Sequence, residues 1–291
     1  MTGEPSRWKR YHRVRHALST RAFGWLARRR MLRCAPGERF VVNEQELRLP
    51  RLPTDLDGLR IAHVSDLHVG PLMRPEHLPP IVAAINDLGA DLIANTGDIV
   101  DYSNHYLSPV VGALGKLKAP LGVYHVLGNH DYRDAAAEVV HAFRMADLSM
   151  LVNEHVRVEV HSHRLAVADI DWAERDRSLA RLVHRACEGI YGDDLRVLLA
   201  HHPHALDAAS RHNVDLVLSG HTHGGQVILR KGAAHSPRPS LGLGNLNFRY
   251  PQGHYQKGRT HLFVTNGLGG SFPLRFRCPA EINVLRLRPG G

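Results

Sequence analysis

Cysteine is scarce in this chain: Cys34, Cys187 and Cys278 are the only three in 291 residues. They are odd in number, widely separated and in no CxxC pattern, which argues against a thiolate zinc site and fits a reducing compartment. No run of 18 or more apolar residues occurs, so no membrane-spanning helix is expected, and the N-terminus lacks the apolar core of a secretory signal. "RRRML" at 28 to 32 has the arginines of a twin-arginine signal, but "RCAPG" follows where an apolar stretch is required. The chain is therefore expected to be cytoplasmic. Internal repeats are absent. At 43% apolar residues, the composition still suffices for a substantial core.

Acidic residues are nearly missing from one place. Residues 1 to 33 hold ten Lys or Arg (Arg7, Lys9, Arg10, Arg13, Arg15, Arg21, Arg28, Arg29, Arg30 and Arg33) against Glu4 alone. Of 37 basic and 28 acidic residues in all, the remainder thus keeps 27 of each, and the whole net charge of +9 sits in the tail. On a helical wheel Trp8, Tyr11, Val14, Leu18, Ala22, Trp25 and Leu26 gather on one broad side, opposite Lys9, Arg10, Arg13, Arg21 and Arg28. Arg15, Arg29 and Arg30 spoil the separation, and Gly24 weakens the helix. Three readings stand for this segment, residues 1 to 36: a helix lying on an anionic membrane surface, a solvated arm, or a nucleic-acid contact. The first places the chain peripherally on the inner face of the membrane.

From about residue 38 short apolar runs alternate with helical stretches. "RIAHVSD" (60 to 66), "DLIANTGD" (91 to 98), "GVYHVLGNHD" (122 to 131), "RVLLAHHP" (196 to 203) and "VDLVLSGHTH" (214 to 223) share one layout, a buried-strand run ending in Asp, Asn or His. Helices are expected over 76–88, 107–117 and 135–146. Such alternation implies βαβ units, whose ligands collect beyond the carboxyl ends of the strands, so the five polar clusters should meet on one edge. "VRVEVHS" (156 to 162), "RLAVADI" (164 to 170), "HLFVTNG" (261 to 267) and "EINVLRLR" (281 to 288) read as antiparallel strands of a second sheet. A two-sheet α/β sandwich follows. The Gly- and Pro-rich stretch 231–253 reads as a long loop beside the site.

The clusters, in order, are Asp66 and His68; Gly97 and Asp98; Gly128, Asn129, His130 and Asp131; His201; and His221 and His223. Carboxylate, imidazole and amide donors without sulfur suit manganese, iron or zinc. Even seven of these nine groups exceed what one catalytic ion uses. They suffice for two ions about 3.5–4 Å apart that share a carboxylate, the arrangement that clamps the attacking and leaving oxygens of a phosphoryl group.

The ordered set D-x-H, G-D, G-N-H-D, H-x-P and G-H-x-H resembles that of the calcineurin-like metallophosphoesterases. The motifs span about residues 58 to 225 and extend weakly through "NGLGGSFPLRF" and "PAEINVLRL" to the C-terminus. "LDGLRIAHVSDLHVG" and "GHTHGGQ" are similar to the bacterial branch of membrane-proximal phosphodiesterases, one relative in which hydrolyses the pyrophosphate of UDP-2,3-diacylglucosamine. The resemblance implies an αββα sandwich over 37–291 and a binuclear, metal-dependent phosphoester hydrolase, a phosphodiesterase or pyrophosphatase working near the membrane. Carried over residue by residue, it implies that Asp66, His68 and His223 hold one ion, that Asn129, His201 and His221 hold the other, and that Asp98 bridges. It leaves His130 as the catalytic acid, with Asp131 orienting its loop. His202 competes with His201 for a place in the ligand set, and the H-x-P pattern favours His201.

Two functions of other classes remain. A non-catalytic scaffold is disfavoured because no ligand position is replaced. A nuclease is disfavoured because the body of the chain carries no net charge, whereas a nucleic-acid groove concentrates positive charge along the binding surface.

Overall fold

The computed structural model describes residues 39–172, 176–230, 241–242, 248–270 and 274–290. The basic segment 1–36 and most of the expected loop 231–253 lie outside the described residues. Strands are β1 (Val41–Leu49), β2 (Arg60–Val64), β3 (Leu92–Asn95), β4 (Val123–His125), β5 (Ser149–Met150), β6 (His155–Val160), β7 (His163–Ile170), β8 (Leu195–Ala200), β9 (Leu216–Ser219), β10 (Ile228–Arg230), β11 (Leu241–Gly242), β12 (Gly253–Lys257), β13 (Thr260–Val264) and β14 (Glu281–Pro289). The α-helices are α1 (Leu78–Asp87), α2 (Leu107–Leu114), α3 (Ala136–Met145), α4 (Asp176–Cys187) and α5 (Ala205–Ala209).

The helices form where apolar residues recur at helical spacing. In α1, Leu78, Ile81, Val82 and Ile85 make one buried stripe, and its prolines sit in the first turn, where a missing N–H costs nothing. Leu107, Val110 and Leu114 do the same for α2, and Val139 and Phe143 for α3. Phe143 is fully buried, and truncating such a side chain to Ala costs about 3–5 kcal/mol.

One six-stranded sheet runs β1-β14-β2-β3-β4-β5 and the other β12-β13-β9-β8-β7-β6. Three apolar layers fill the sandwich. Ile81, Ile93, Phe143 and Ile282 belong to the layer between α1–α3 and the first sheet. Ile61, Leu165, Leu218, Phe263 and Leu285 lie between the sheets. Ala168, Leu179, Val183, Leu206 and Leu262 fill the space between the second sheet and α4–α5. This is the αββα sandwich.

The sheets are not divided as the sequence pattern suggests. The strand at 281–289 belongs to the first sheet, parallel to β1 and antiparallel to β2, while β8 and β9 belong to the second. Within the second sheet β7 pairs parallel with β8, and β13 parallel with β9, so only β6–β7 and β12–β13 are antiparallel. Alternation in the sequence reports that a segment is a strand with two unlike faces; it does not choose the partner. The consequence for function is direct. Three polar clusters, after β2, β3 and β4, come from one sheet, and two, after β8 and β9, from the other. Among the described residues no helix is long and apolar enough to cross a membrane.

Candidate metal centre

Beyond the ends of β2 and β3 the two loops keep pairing. Asp66 N–H donates to Gly97 O at 2.9 Å, His68 N–H to Asp98 O at 2.9 Å, and Val69 N–H to Ile99 O at 3.0 Å. This extension carries Asp66, His68 and Asp98 over the sheet edge. All three have left-handed backbones, with φ of 55°, 47° and 53°, as do His221 (71°) and His223 (50°) in the loop after β9. Such conformations cost about 1–3 kcal/mol each and persist only where the surroundings over-determine them. The continued ladder is one such restraint, and a second is the backbone N–H of His221, which donates to both carboxylate oxygens of Asp66 at 3.1 Å. Gly220 must lack a side chain for the same contact, because a Cβ there would overlap Asp66 Oδ2 and Ser65 Oγ. That accounts for the first glycine of GHTHGG.

All seven residues expected to be ligands come together. On one side His68 Nε2 faces His223 Nε2 at 3.1 Å, with Asp66 Oδ1 3.8 Å from the first and 3.5 Å from the second. On the other, Asn129 Oδ1 lies 3.2 Å from His201 Nε2 and 2.7 Å from His221 Nδ1. Between the halves is Asp98. Its Oδ2 is 3.3 Å from His68 Nε2 and 3.2 Å from His201 Nε2, while its Oδ1 accepts the backbone N–H of His130 at 2.7 Å. His201 Nδ1–H donates to Thr96 O at 2.7 Å, which turns Nε2 toward Asp98. His202 instead sets its Nδ1 3.0 Å from that of His204 and packs its ring against His221, outside the converging set.

The centre is buried and electrically polarised. Asp66, His68, Asp98 and His201 are at most 2% exposed. Burial opposes charge on His68, yet Asp98, Asp101 and Asp66 outweigh it and raise its pKa to about 10. His201 is raised to about 9 against the same penalty, chiefly by Asp98. For His223 burial wins and lowers the value to about 3, and His221 is likewise driven well below the ordinary imidazole range. Burial also opposes charge on Asp66 and Asp98, but surrounding histidines hold both below the usual carboxylate range.

Asp101 is a residue of this cluster that the motifs miss. Its Oδ1 accepts from His130 Nδ1–H at 2.8 Å and lies 3.3 Å from His68 Nδ1. The only sequence signal is a carboxylate three residues beyond the Gly-Asp pair, which alone is indistinguishable from a loop residue. Asp131 points the other way and accepts three backbone N–H groups, from Ile99 (2.9 Å), Val100 (3.0 Å) and Gly128 (2.8 Å), so it ties the loops after β3 and β4 together. Trp172 and Phe248, unmarked by any motif, set their rings 5.3 Å and 5.4 Å from that of His221. Tyr132, 39% exposed, donates its hydroxyl to Asp171 beside Trp172. His63 and His125 stay outside the converging set: the first hydrogen-bonds Thr96 and packs on Phe263, the second hydrogen-bonds Asn95 and packs on Phe143.

The donors fit divalent cations. Ligand atoms of Asp66, His68, Asp98 and His223 all lie within 4.8 Å of one another, and imidazole nitrogens turned toward each other beside buried carboxylates are a set that a cation satisfies. A second trio within that distance, His68, Asp101 and His130, is already joined by hydrogen bonds through Asp101. Fold and site thus define an α/β sandwich protein with residues arranged for two metal ions at the meeting edge of its sheets.

The family model described as calcineurin-like phosphoesterase matches residues 59–225. An uncharacterised metallophosphoesterase of Bacillus subtilis is 32% identical over 253 residues, covering 84% of each chain. A Bos taurus transmembrane protein with a metallophosphoesterase domain is 32% identical over 265 residues, covering 85% of this chain but 57% of its own. Among solved structures, a dimetal phosphatase from Danio rerio aligns at a TM-score of 0.46 with 12% identity, covering 73% of this chain and 88% of that one. The chain belongs to the calcineurin-like phosphoesterase family and is a metal-dependent phosphoester hydrolase.

Proposed function

We propose that the protein is a binuclear phosphodiesterase or pyrophosphatase that works at an anionic membrane surface. The observation that carries the binuclear part is the position of Asp98 Oδ2, 3.3 Å from His68 Nε2 and 3.2 Å from His201 Nε2, the place of a carboxylate shared by two ions. On this reading Asp66, His68 and His223 hold one ion, Asn129, His201 and His221 the other, and Asp98 both. The ions, manganese, iron or zinc, would supply charge stabilisation at the phosphoryl oxygens and an activated water.

The chain's own residues supply the remainder. His130 has its Nδ1–H committed to Asp101, so Nε2 would deliver a proton to the departing oxygen from the imidazolium form, which burial disfavours and the Asp98 and Asp101 carboxylates favour. The main chain of His130 is fixed by Asp98, and the loop it sits on by Asp131. The likeness to the membrane-proximal phosphodiesterase branch supports a diester or pyrophosphate over a monoester. So do Trp172, Phe248 and Tyr132, which offer apolar surface to a second substituent that a monoester lacks. The charge of residues 1–33, and the transmembrane character in the name of the Bos taurus relative, support work at a membrane. A UDP-linked lipid pyrophosphate such as UDP-2,3-diacylglucosamine is the specific substrate that this reading suggests.

The test is an assay of manganese-reconstituted protein on bis-p-nitrophenyl phosphate, p-nitrophenyl phosphate, and UDP-2,3-diacylglucosamine in anionic vesicles. Higher kcat/KM on the diester or the pyrophosphate than on the monoester is expected. Turnover confined to the monoester would refute the reading.

A further inference from the structure

The two halves of the first ion's proposed ligand set belong to different sheets: Asp66 and His68 follow β2, whereas His223 follows β9. Something must fix the gap between those edges. The five ordered motifs end at residue 225, yet the pieces that close the gap lie in the weaker stretch beyond them, in residues 265–270 and 274–281.

Two pieces of this segment touch the ligands. The turn 266–269 lies against Asp66, with Leu268 N–H donating to Ser65 O at 3.0 Å and Gly269 N–H to Asp66 O at 2.7 Å. The stretch ending at Cys278 lies against His223: the Cys278 thiol donates to His223 O at 3.2 Å, and Phe276 N–H to Gln226 O at 2.8 Å. Gly224, at a φ of 59°, is wedged between the two pieces, where a Cβ would overlap Asn266 Oδ1 and come within 2.7 Å of Cys278 Sγ.

Arg275 joins them. It is 8% exposed, and its guanidinium donates from NH2 to the carbonyls of Asn266 (2.9 Å), Gly267 (3.2 Å) and Gly269 (2.5 Å), and from NH1 to those of Cys278 and Pro279 (3.4 Å each). A planar, permanently charged fork with five N–H donors can serve both pieces at once, which a single ammonium point cannot. Glu281 holds the turn from its other side, its Oε1 accepting Asn266 N–H at 2.8 Å and its Oε2 taking Asn43 Nδ2 at 2.8 Å from the edge strand β1.

We propose that Arg275 is the positioning residue of the first metal position, its buried guanidinium setting the separation of Asp66 and His223 and hence the affinity for the ion between them. This rests on the binuclear reading above. Groups that orient ligands from behind in this way contribute about 10–100-fold in metal affinity or activity when removed.

The experiment uses the full chain, stripped with chelator and titrated with Mn²⁺ by calorimetry, for wild type, Arg275→Met, Arg275→Lys and Arg51→Met. Arg51 is the control. It is a part-buried guanidinium serving the carbonyls of Gly192 and Asp194 and the Asp215 carboxylate, which precede β8 and β9 at the ends opposite to the ligand loops. The expected result is that Arg51→Met lowers the thermal midpoint and leaves both Mn²⁺ affinities unchanged. Arg275→Met should weaken one of the two ions about 10–100-fold, leave the other within about threefold, and lower kcat on bis-p-nitrophenyl phosphate with KM nearly constant. Arg275→Lys should fall between. If Arg275→Met yields no folded protein, Arg275→Lys decides, since one ammonium cannot serve both pieces and must still show selective loss of one ion. Wild-type affinity for both ions in Arg275→Lys and Arg275→Met, or equal weakening of both ions in step with the thermal midpoint, would overturn the proposal. A wild type that binds only one ion would instead remove the binuclear reading on which the proposal rests.

Discussion

The Nδ1–H of His130 donates to Asp101 Oδ1 at 2.8 Å, and the same oxygen stands 3.3 Å from Nδ1 of His68. One carboxylate therefore orients both a proposed ligand and the proposed acid, and substitutions should separate the two duties. His130→Ala is expected to keep its metal and lose about 10²–10⁴-fold in kcat on an alkyl ester, the usual contribution of a positioned acid. With a p-nitrophenyl leaving group, which departs without a proton, the loss should be much smaller. Asp101→Ala should lower both kcat and metal content. Equal losses of His130→Ala on both ester types would assign His130 another role.

Proton release should accompany metal loading. With the ions removed, His68 and His201 are raised to about 10 and about 9, because the carboxylates around them, Asp98 foremost, overcome the burial that disfavours their charge. Both folded values lie above the ordinary 6.5, so the stabilisation from these charges is complete below about pH 6.5 and is lost as pH rises through 9 to 10. The thermal midpoint of chelator-treated protein should fall across that window. At pH 7 an incoming ion must displace these protons, so Mn²⁺ binding should release roughly two protons per chain and tighten as pH rises. Calorimetric titration in two buffers of different ionisation enthalpy measures this. No proton release at pH 7 would show that neither imidazole carries a proton before binding.

Much of this site was legible because each ligand cluster terminates an apolar run, and strands of an α/β sheet deliver their ends to one edge. Other features left no comparable mark. Asp101 is a lone loop carboxylate whose meaning lies in two imidazoles brought to it by the fold. Arg275 lies inside the weakly matching stretch "NGLGGSFPLRF", but its partners are backbone carbonyls, which carry no side-chain signature. In α4 the buried residues Leu179, Val183 and Ala186 form a narrow stripe among charged neighbours, easily passed over. The strand β1 is exposed at most of its positions and reads as surface until its pairing with β14 is seen. Partner choice between strands was the largest gap, since period-two alternation is the same in either sheet.

Location should be separable from chemistry. The net charge of +9 falls in residues 1 to 33, beside Trp8 and Trp25, and the remainder balances. Removing residues 1 to 36 is therefore expected to release the enzyme from anionic vesicles, barely change turnover of a small soluble diester, and depress activity on a lipid-linked pyrophosphate in vesicles. Added salt should weaken attachment of the intact chain, because screening acts over about 8 Å at physiological ionic strength, and Trp25→Ala should weaken it further. Equal sedimentation of intact and truncated protein with vesicles would make the segment a solvated arm.

The central claim is that Asp98 serves two ions, and elemental analysis of purified Asp98→Ala beside wild type tests it most directly. Two ions per chain are expected in wild type. In the variant the count should fall to one or fewer, with hydrolysis abolished, because the oxygen between His68 Nε2 and His201 Nε2 is gone from both half-sites at once. Two ions per chain in folded Asp98→Ala would contradict the account.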